Sequence, residues 1–191
     1  MSSILKVDQL QDSGGNNIIT SNGSGTFTSS LPNTGITMAD QWRLNTGTTF
    51  TTSGLDITAN LERVDTAGQG FIGTGMTESS GIFSFPQTGI YQVDAHFSVY
   101  SSTATRWVYG IIKGTTDNST YNNLAGSYQN IAIASSGGNY AVINSSTLFD
   151  VTDISNDKIK FHLDTQAATI NLYASTNINI TFFTFKRLGD T

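Results

Sequence analysis

With 191 residues and no cysteine, the chain is long enough to bury one core without disulfides and has no thiolate metal site. Its net charge of −5, from 14 acidic and 9 basic residues, leaves few cations for a phosphate backbone, so nucleic acid is not an expected partner. No run approaches the roughly 20 apolar residues of a membrane span, and MSSILKVDQLQDSGG lacks the apolar stretch of a secretory signal, so neither membrane insertion nor export is expected.

The first 35 residues alternate short strand-like pieces with turns: SSILKVDQL, the turn QDSGGNN, then IIT, SNGSG and TFTSS. Their apolar residues, Ile4, Leu5, Val7, Leu10, Ile18, Ile19 and Phe27, are too few for an independent core. Such a segment needs another surface or copies of itself to pack on. Residues 1–35 are therefore read as an attachment segment, with Ile4, Leu5, Val7, Leu10, Ile18 and Ile19 as docking residues, and 36–191 as the head. The texture changes near Leu31–Pro32–Asn33.

From residue 36 onward helical periodicity is nearly absent and period-two alternation is frequent. GIYQVDAHFSVY (89–100) is the clearest strand: Tyr91, Val93, Ala95, Phe97 and Val99 share one face, and Gln92, Asp94, His96 and Ser98 the other. Further strands are expected at 106–113, 128–134, 140–151, 158–165, 169–175 and 177–187, separated by turn clusters. Many short strands at about ten-residue spacing predict an all-β antiparallel sandwich or barrel. In the last of them Phe182, Phe183 and Phe185 occupy both faces, with Ile178 and Ile180 on the Phe182 side. A strand apolar on both faces is covered twice. This places Ile180, Phe182, Phe183 and Phe185 at a subunit interface.

Candidate chemistry is sparse. GQGFIG (68–73) fits a dinucleotide-loop pattern, but the next segment is a strand sequence, not a helix start, so no cofactor is expected and the glycines are assigned to tight turns. His96 and His162 lie on polar strand faces and would form a site only if their strands were neighbours. Asp150, Asp153 and Asp157 do not follow the calcium-loop order and suit a turn; no metal is assigned, and calcium near Asp150–Asp157 stays an open question. The polar stretch 114–130 is read as a long loop and candidate receptor surface through Tyr121, Asn122, Asn123 and Tyr128. No catalytic residue is assigned. Glu62 and Glu78 are the carboxylates a glycan-acting enzyme would have to use.

GIFSFPQTGIYQVDAHF (81–97) resembles the jelly-roll head of the complement-globular-head and tumour-necrosis-factor superfamily, through Phe83 and Gly89–Ile90–Tyr91. Val93 and Ala95 stand where that pattern has aromatics. ADQWRL (39–44), NLERVDTAGQGFIGTGM (60–76) and SSGIFSFPQTGIYQV (79–93) resemble the version found in virion proteins of tailed, particularly marine, phages, and the amino end resembles the start of phage fibre and appendage proteins. The resemblance implies a TNF-like jelly-roll β-sandwich, a homotrimer whose inner strands meet on a threefold axis, and a virion location after synthesis in the host cytoplasm. The implied function is a non-enzymatic trimeric appendage on the capsid, a decoration protein or head fibre docked to other virion proteins. The alternative is a tail-fibre or tail-tip protein binding a host-surface receptor or glycan. A glycan-acting enzyme and a soluble carbohydrate-binding or signalling module remain as other classes.

Overall fold

A computed structural model describes residues 7–29, 35–50, 54–132, 138–166 and 169–191. The chain divides into two compact units, Met1–Gly35 and Ile36–Thr191. Every regular element among the described residues is a β-strand.

The first unit is a three-stranded antiparallel meander of β1 (Gln9–Gln11), β2 (Asn17–Ser21) and β3 (Phe27–Ser29). Leu10 pairs with Ile19, and Ser21 with Phe27. Asp12 closes the first turn, its Oδ1 accepting the Gly14 and Asn16 N–H groups at 2.8 and 2.9 Å. Val7, Leu10 and Phe27 stay exposed, as expected of a sheet with too little chain to cover its own face. Of the sequence-assigned docking residues, Ile4 and Leu5 lie outside the described residues.

The second unit is a two-sheet sandwich of β4 (Ala39–Leu44), β5 (Thr48–Phe50), β6 (Leu55–Asp56), β7 (Leu61–Arg63), β8 (Thr77–Ser79), β9 (Ile82–Ser84), β10 (Gly89–Ser101), β11 (Thr105–Thr115), β12 (Asn122–Ile131), β13 (Asn139–Val151), β14 (Lys158–Thr165), β15 (Ile170–Leu172) and β16 (Phe182–Gly189). One sheet runs β5–β15–β10–β16–β4–β7, with β13 along the other edge of β10; the second runs β12–β11–β14–β9–β8, with β6 on β14. β10 organises the first sheet. It alternates buried and half-buried residues over all 13 positions, and it pairs along its whole length with β13. The alternation read at 89–100 is the physical pattern of a strand with one face on the core.

An aromatic stack joins the sheets. Phe161 of β14 lies on Phe183 of β16 with centroids 3.7 Å apart, and Phe83 of β9 meets Trp42, Phe161 and Phe185 at 5.5, 5.5 and 5.1 Å. Phe83, Phe97, Phe161, Phe183 and Phe185 are all fully buried. Phe183 and Phe185 thus belong to the core of a single chain, a correction to the interface expected from sequence. The alternation of β16 turns residues 183 and 185 inward, and only Phe182 outward. Residues 177–181, read as strand, form an irregular segment. It is pinned because Thr181 O accepts Leu44 N–H at 3.0 Å and Thr181 Oγ1 accepts Ser98 N–H at 3.1 Å. Ile180 therefore precedes β16 and is half-buried.

The glycine-rich segment 67–76 is a loop, with Ile72 bridged to Ala39. Two arginines hold it. Arg43, fully buried, donates to Glu62 at 2.7 Å, Asp65 at 2.7 Å, Thr66 at 2.8 Å and the Thr176 carbonyl. These bonds fix the chain entering the loop, and Arg43 also reaches Gln69 Oε1 within it at 3.4 Å. Arg63 donates to both oxygens of buried Asp40 at 3.1 and 3.2 Å and lies 4.8 Å over the Phe71 ring. Gly73 sits at φ 70°, where an added Cβ would overlap the Thr37 carbonyl oxygen, so this glycine serves close backbone approach.

Phe161→Ala should lower unfolding free energy by about 3–5 kcal/mol, read from urea denaturation, because it empties the stack between the sheets. Replacing Arg43 by Met should lower it by about 2 kcal/mol, less than for a fully enclosed ion pair because Glu62 and Asp65 reach solvent.

Candidate functional site

The outward face of the β10 sheet is built in cross-strand rows. Asn144 of β13, His96 of β10 and Phe182 of β16 form one row. His96 Nδ1 lies 2.7 Å from Asn144 Oδ1, and its ring stacks on Phe182 at 4.8 Å. In the next row Asp94 accepts Ser146 Oγ at 2.6 Å and Gln92 Nε2 at 3.0 Å, with Lys186 Nζ 3.7 Å away. These rows line a shallow cleft of about 340 Å³ with Ala95, Ser145 and Thr184. Around it the face is apolar. Tyr140 and Leu148 are each 64% exposed, and Val142 and Leu188 are exposed as well. At one end Tyr100, Tyr140 and Tyr173 cluster with centroids 5.1–5.9 Å apart. The Tyr140 and Tyr173 hydroxyls lie 3.2 Å apart, and that hydrogen bond pushes the Tyr173 phenol above its ordinary value. Phe182 remains on this face. Tyr140, Val142, Leu148 and Leu188 extend it, and sequence reading missed them because Val142 adjoins Ile143 and Leu148 adjoins Phe149, so the outward apolar residues are not separable by pattern from the inward ones.

The stretch 114–130 is not a long loop. Residues 114 and 115 end β11, a tight turn follows, and β12 begins at Asn122. Asp117 makes the turn, accepting Thr120 N–H at 2.7 Å, the Thr115 hydroxyl at 2.7 Å and Ser119 N–H at 2.9 Å, which hold its carboxyl well below the usual range. Small and amide residues in β12 hide its strand character, because this edge strand buries only Ile131 and half-buries Ala125 and Ser127. Asn122, Asn123 and Tyr128 are exposed, whereas Tyr121 packs under Lys160, whose Nζ lies 4.1 Å from the ring centroid.

Beside Tyr121, the face of the second sheet holds an ionic cluster. Asp56 of β6 accepts from Lys160 Nζ at 2.7 Å, lies 2.6 Å from His162 Nδ1, and has Lys113 Nζ at 3.8 Å. Partial burial raises the Asp56 pKa, but the hydrogen bonds from Lys160 and His162 outweigh it and hold the carboxyl below its ordinary 3.8. The Tyr121 phenol is pushed up, first by burial and then by the Asp56 charge.

Other sequence candidates separate. His96 lies on β10 and His162 on β14, in different sheets, so they form no joint site. Asp157 is buried and accepts the Thr152 and Asp153 N–H groups at 2.7 and 2.8 Å, while Asp153 accepts Ser155 N–H and Asn156 Nδ2, each at 2.8 Å. These carboxylates close a turn. Among the described residues no group of three His, Cys, Asp or Glu side chains is arranged around a metal position. Glu62 is tied to Arg43, and Glu78 accepts Gly81 N–H at 2.6 Å.

No protein-family model and no curated protein sequence matches the chain. Solved structures do. Eiger, a TNF from S. frugiperda, superposes with a TM-score of 0.60 at 14% identity, over 82% of this chain and 96% of that one. Murine APRIL at pH 8.5 gives 0.54 at 16% identity, over 79% and 98%. These likenesses establish a TNF-like jelly roll.

Because the folded-state pKa of Asp56 is depressed, its contribution is present above the unfolded value and is lost as pH falls through the folded one. Thermal melting should therefore weaken below about pH 4, and Asp56→Asn should melt earlier at neutral pH with a flatter acid limb.

Proposed function

We propose that the protein is a non-enzymatic structural component of a tailed-phage virion: a homotrimeric capsid appendage, either a decoration protein or a head fibre, docked by residues 1–35 to other virion proteins. The observation that carries the trimer is the pair of open edges. β12 and β13 end their sheets on the same side of the sandwich and pack against each other, 10 and 13 residues long. Between them they carry one charge, Asp150. A solitary sandwich blunts such edges with lysine or proline, and neither strand contains either, although the pairing of β12 shifts register between Asn123 and Ala125. Here they adjoin the exposed Tyr140, Val142 and Leu148, so edge and face together form a surface suited to burial against copies of itself. The TNF-like fold supports three copies around an axis.

The docking role of residues 1–35 is supported by the meander's exposed Val7, Leu10 and Phe27. Three such segments on one trimer act at high effective concentration, so individually weak attachment becomes strong. The phage assignment is supported by the resemblance of 39–44, 60–76 and 79–93 to virion proteins. The engagement of Glu62 and Glu78 in structural hydrogen bonds supports assembly over catalysis. A second reading, a tail-fibre or tail-tip protein that binds a host receptor or glycan, is favoured by the aromatic group of half-buried Trp107 and Tyr109 on β11 and exposed Tyr128 on β12.

Light scattering on the eluting protein should give three times 20.4 kDa. Leu148→Lys with Val142→Glu should give a folded monomer, because both side chains are exposed in the single chain. A wild-type monomer at micromolar concentration overturns the trimer. Mass spectrometry of purified particles of the encoding phage should detect the protein, and deletion of residues 1–35 should leave the head folded and absent from particles.

A further inference from the structure

We propose that the outward face of the β11–β12 hairpin is a binding platform for a neutral glycan, with Trp107, Tyr109 and Tyr128 as its floor. This deepens the second reading above and rests on it; the site uses the outward face of β12, whereas the proposed trimer covers the edge of that strand. The rings are preorganised. Gly126 offers no side chain, and an added Cβ there would overlap the Tyr109 ring, so Tyr109 lies across the bare backbone. Tyr128, its cross-strand partner, stacks on it at 3.9 Å with planes 3° apart, and Trp107 stands edge-on to Tyr128 at 5.9 Å. Such a pair stabilises a hairpin, yet Tyr128 is 63% exposed, a large apolar area left in water on an already paired strand.

The surroundings select the ligand. Asn130, two positions from Tyr128, is exposed and provides an amide donor and acceptor beside the rings, and Asn123, paired with Lys113, provides another four positions further along β11. Of the neighbouring cations, Lys113, Lys160 and His162 converge on Asp56, while Arg106, next to Trp107, is exposed and in no ion pair among the described residues. The cross-strand partner of Tyr109 on β14 is the carboxylate Asp164. A pyranose meets this chemistry: its C–H face packs on the electron-rich face of an aromatic ring, and its rim hydroxyls pair with amides. An acidic ligand meets the Asp164 carboxylate paired with Tyr109, which offsets the single uncommitted cation among these groups, Arg106. Aromatic side chains with two torsions lose little entropy on contact, which suits a weak, repeated interaction.

The test is titration calorimetry with tryptophan fluorescence on the full chain, using cellohexaose, mannohexaose and N-acetylchitohexaose, with polygalacturonate as the acidic comparison. Expected is saturable binding of at least one neutral oligosaccharide with a change in Trp107 emission. Tyr128→Ala and Trp107→Ala should each weaken it at least about tenfold. Tyr128→Phe and Lys113→Gln should retain it. No saturable binding to any neutral probe up to about 10 mM overturns the proposal, as does binding that survives Tyr128→Ala. Preference for polygalacturonate, lost in Lys113→Gln, also overturns it, in favour of a cationic site. Light scattering on the same samples reads the trimer separately, so either proposal can fail alone.

Discussion

The two-residue alternation of β10 is the constraint on which the rest depends. Its inward residues, Tyr91, Val93, Ala95, Phe97 and Val99, are almost completely buried, and they commit their neighbours in register to the same side. Phe183 and Phe185 follow them into the core through β16, and Ile143 and Phe149 through β13. The same register delivers His96, Phe182, Val142 and Tyr140 to the opposite face. A slip of one residue would exchange the two sets, so core and outward face are specified together. The proposed interface is in that sense a by-product of packing the interior correctly.

Polar groups inside the sandwich are handled by two arginines rather than by exclusion. Asp40 is buried, yet it accepts from Arg63, from Trp42 Nε1 at 3.0 Å and from Met76 N–H at 2.7 Å, so its charge is matched by well-formed hydrogen bonds. Arg43 does the converse, a buried cation reaching acceptors from three separate segments. Together they organise the glycine-rich loop, which has no regular structure of its own. Of the three glycines behind the resemblance of that loop to a cofactor motif, Gly73 is required where the chain passes close to Thr37, Gly68 takes a positive φ in a turn, and Gly70 has open space around it.

Much of the fold was legible because sandwich strands bury one face, and alternation is a direct trace of that. β10, β11, β13 and β14 were readable to within a residue or two. β12 was not, because an edge strand with half its surface in water can be built from Asn, Gly, Ser and Gln without losing its pairing. The two-faced phenylalanines were legible as a pattern and misleading as a site: local spacing cannot say that Phe183 meets Phe161, a contact made only across sheets. The irregular run before β16 was misread for a similar reason, since its conformation is set by Arg43 and Leu44, far away in the sequence. The Asp56 cluster gave no signal at all, because its members come from β6, β11 and β14, brought together by tertiary pairing.

The position of β16 has a bearing on biogenesis. It lies between β4 and β10, and the Gln41–Thr184 contact joins positions 143 apart. While the polypeptide is still emerging from the ribosome, β4 has no partner on that side and the edge of β10 stays bare. The sandwich therefore closes late, after translation has passed its final strand, and with the slow kinetics of long-range pairing. Until then the nascent chain exposes hydrogen-bonding edges to other nascent chains, a hazard that grows with their local concentration.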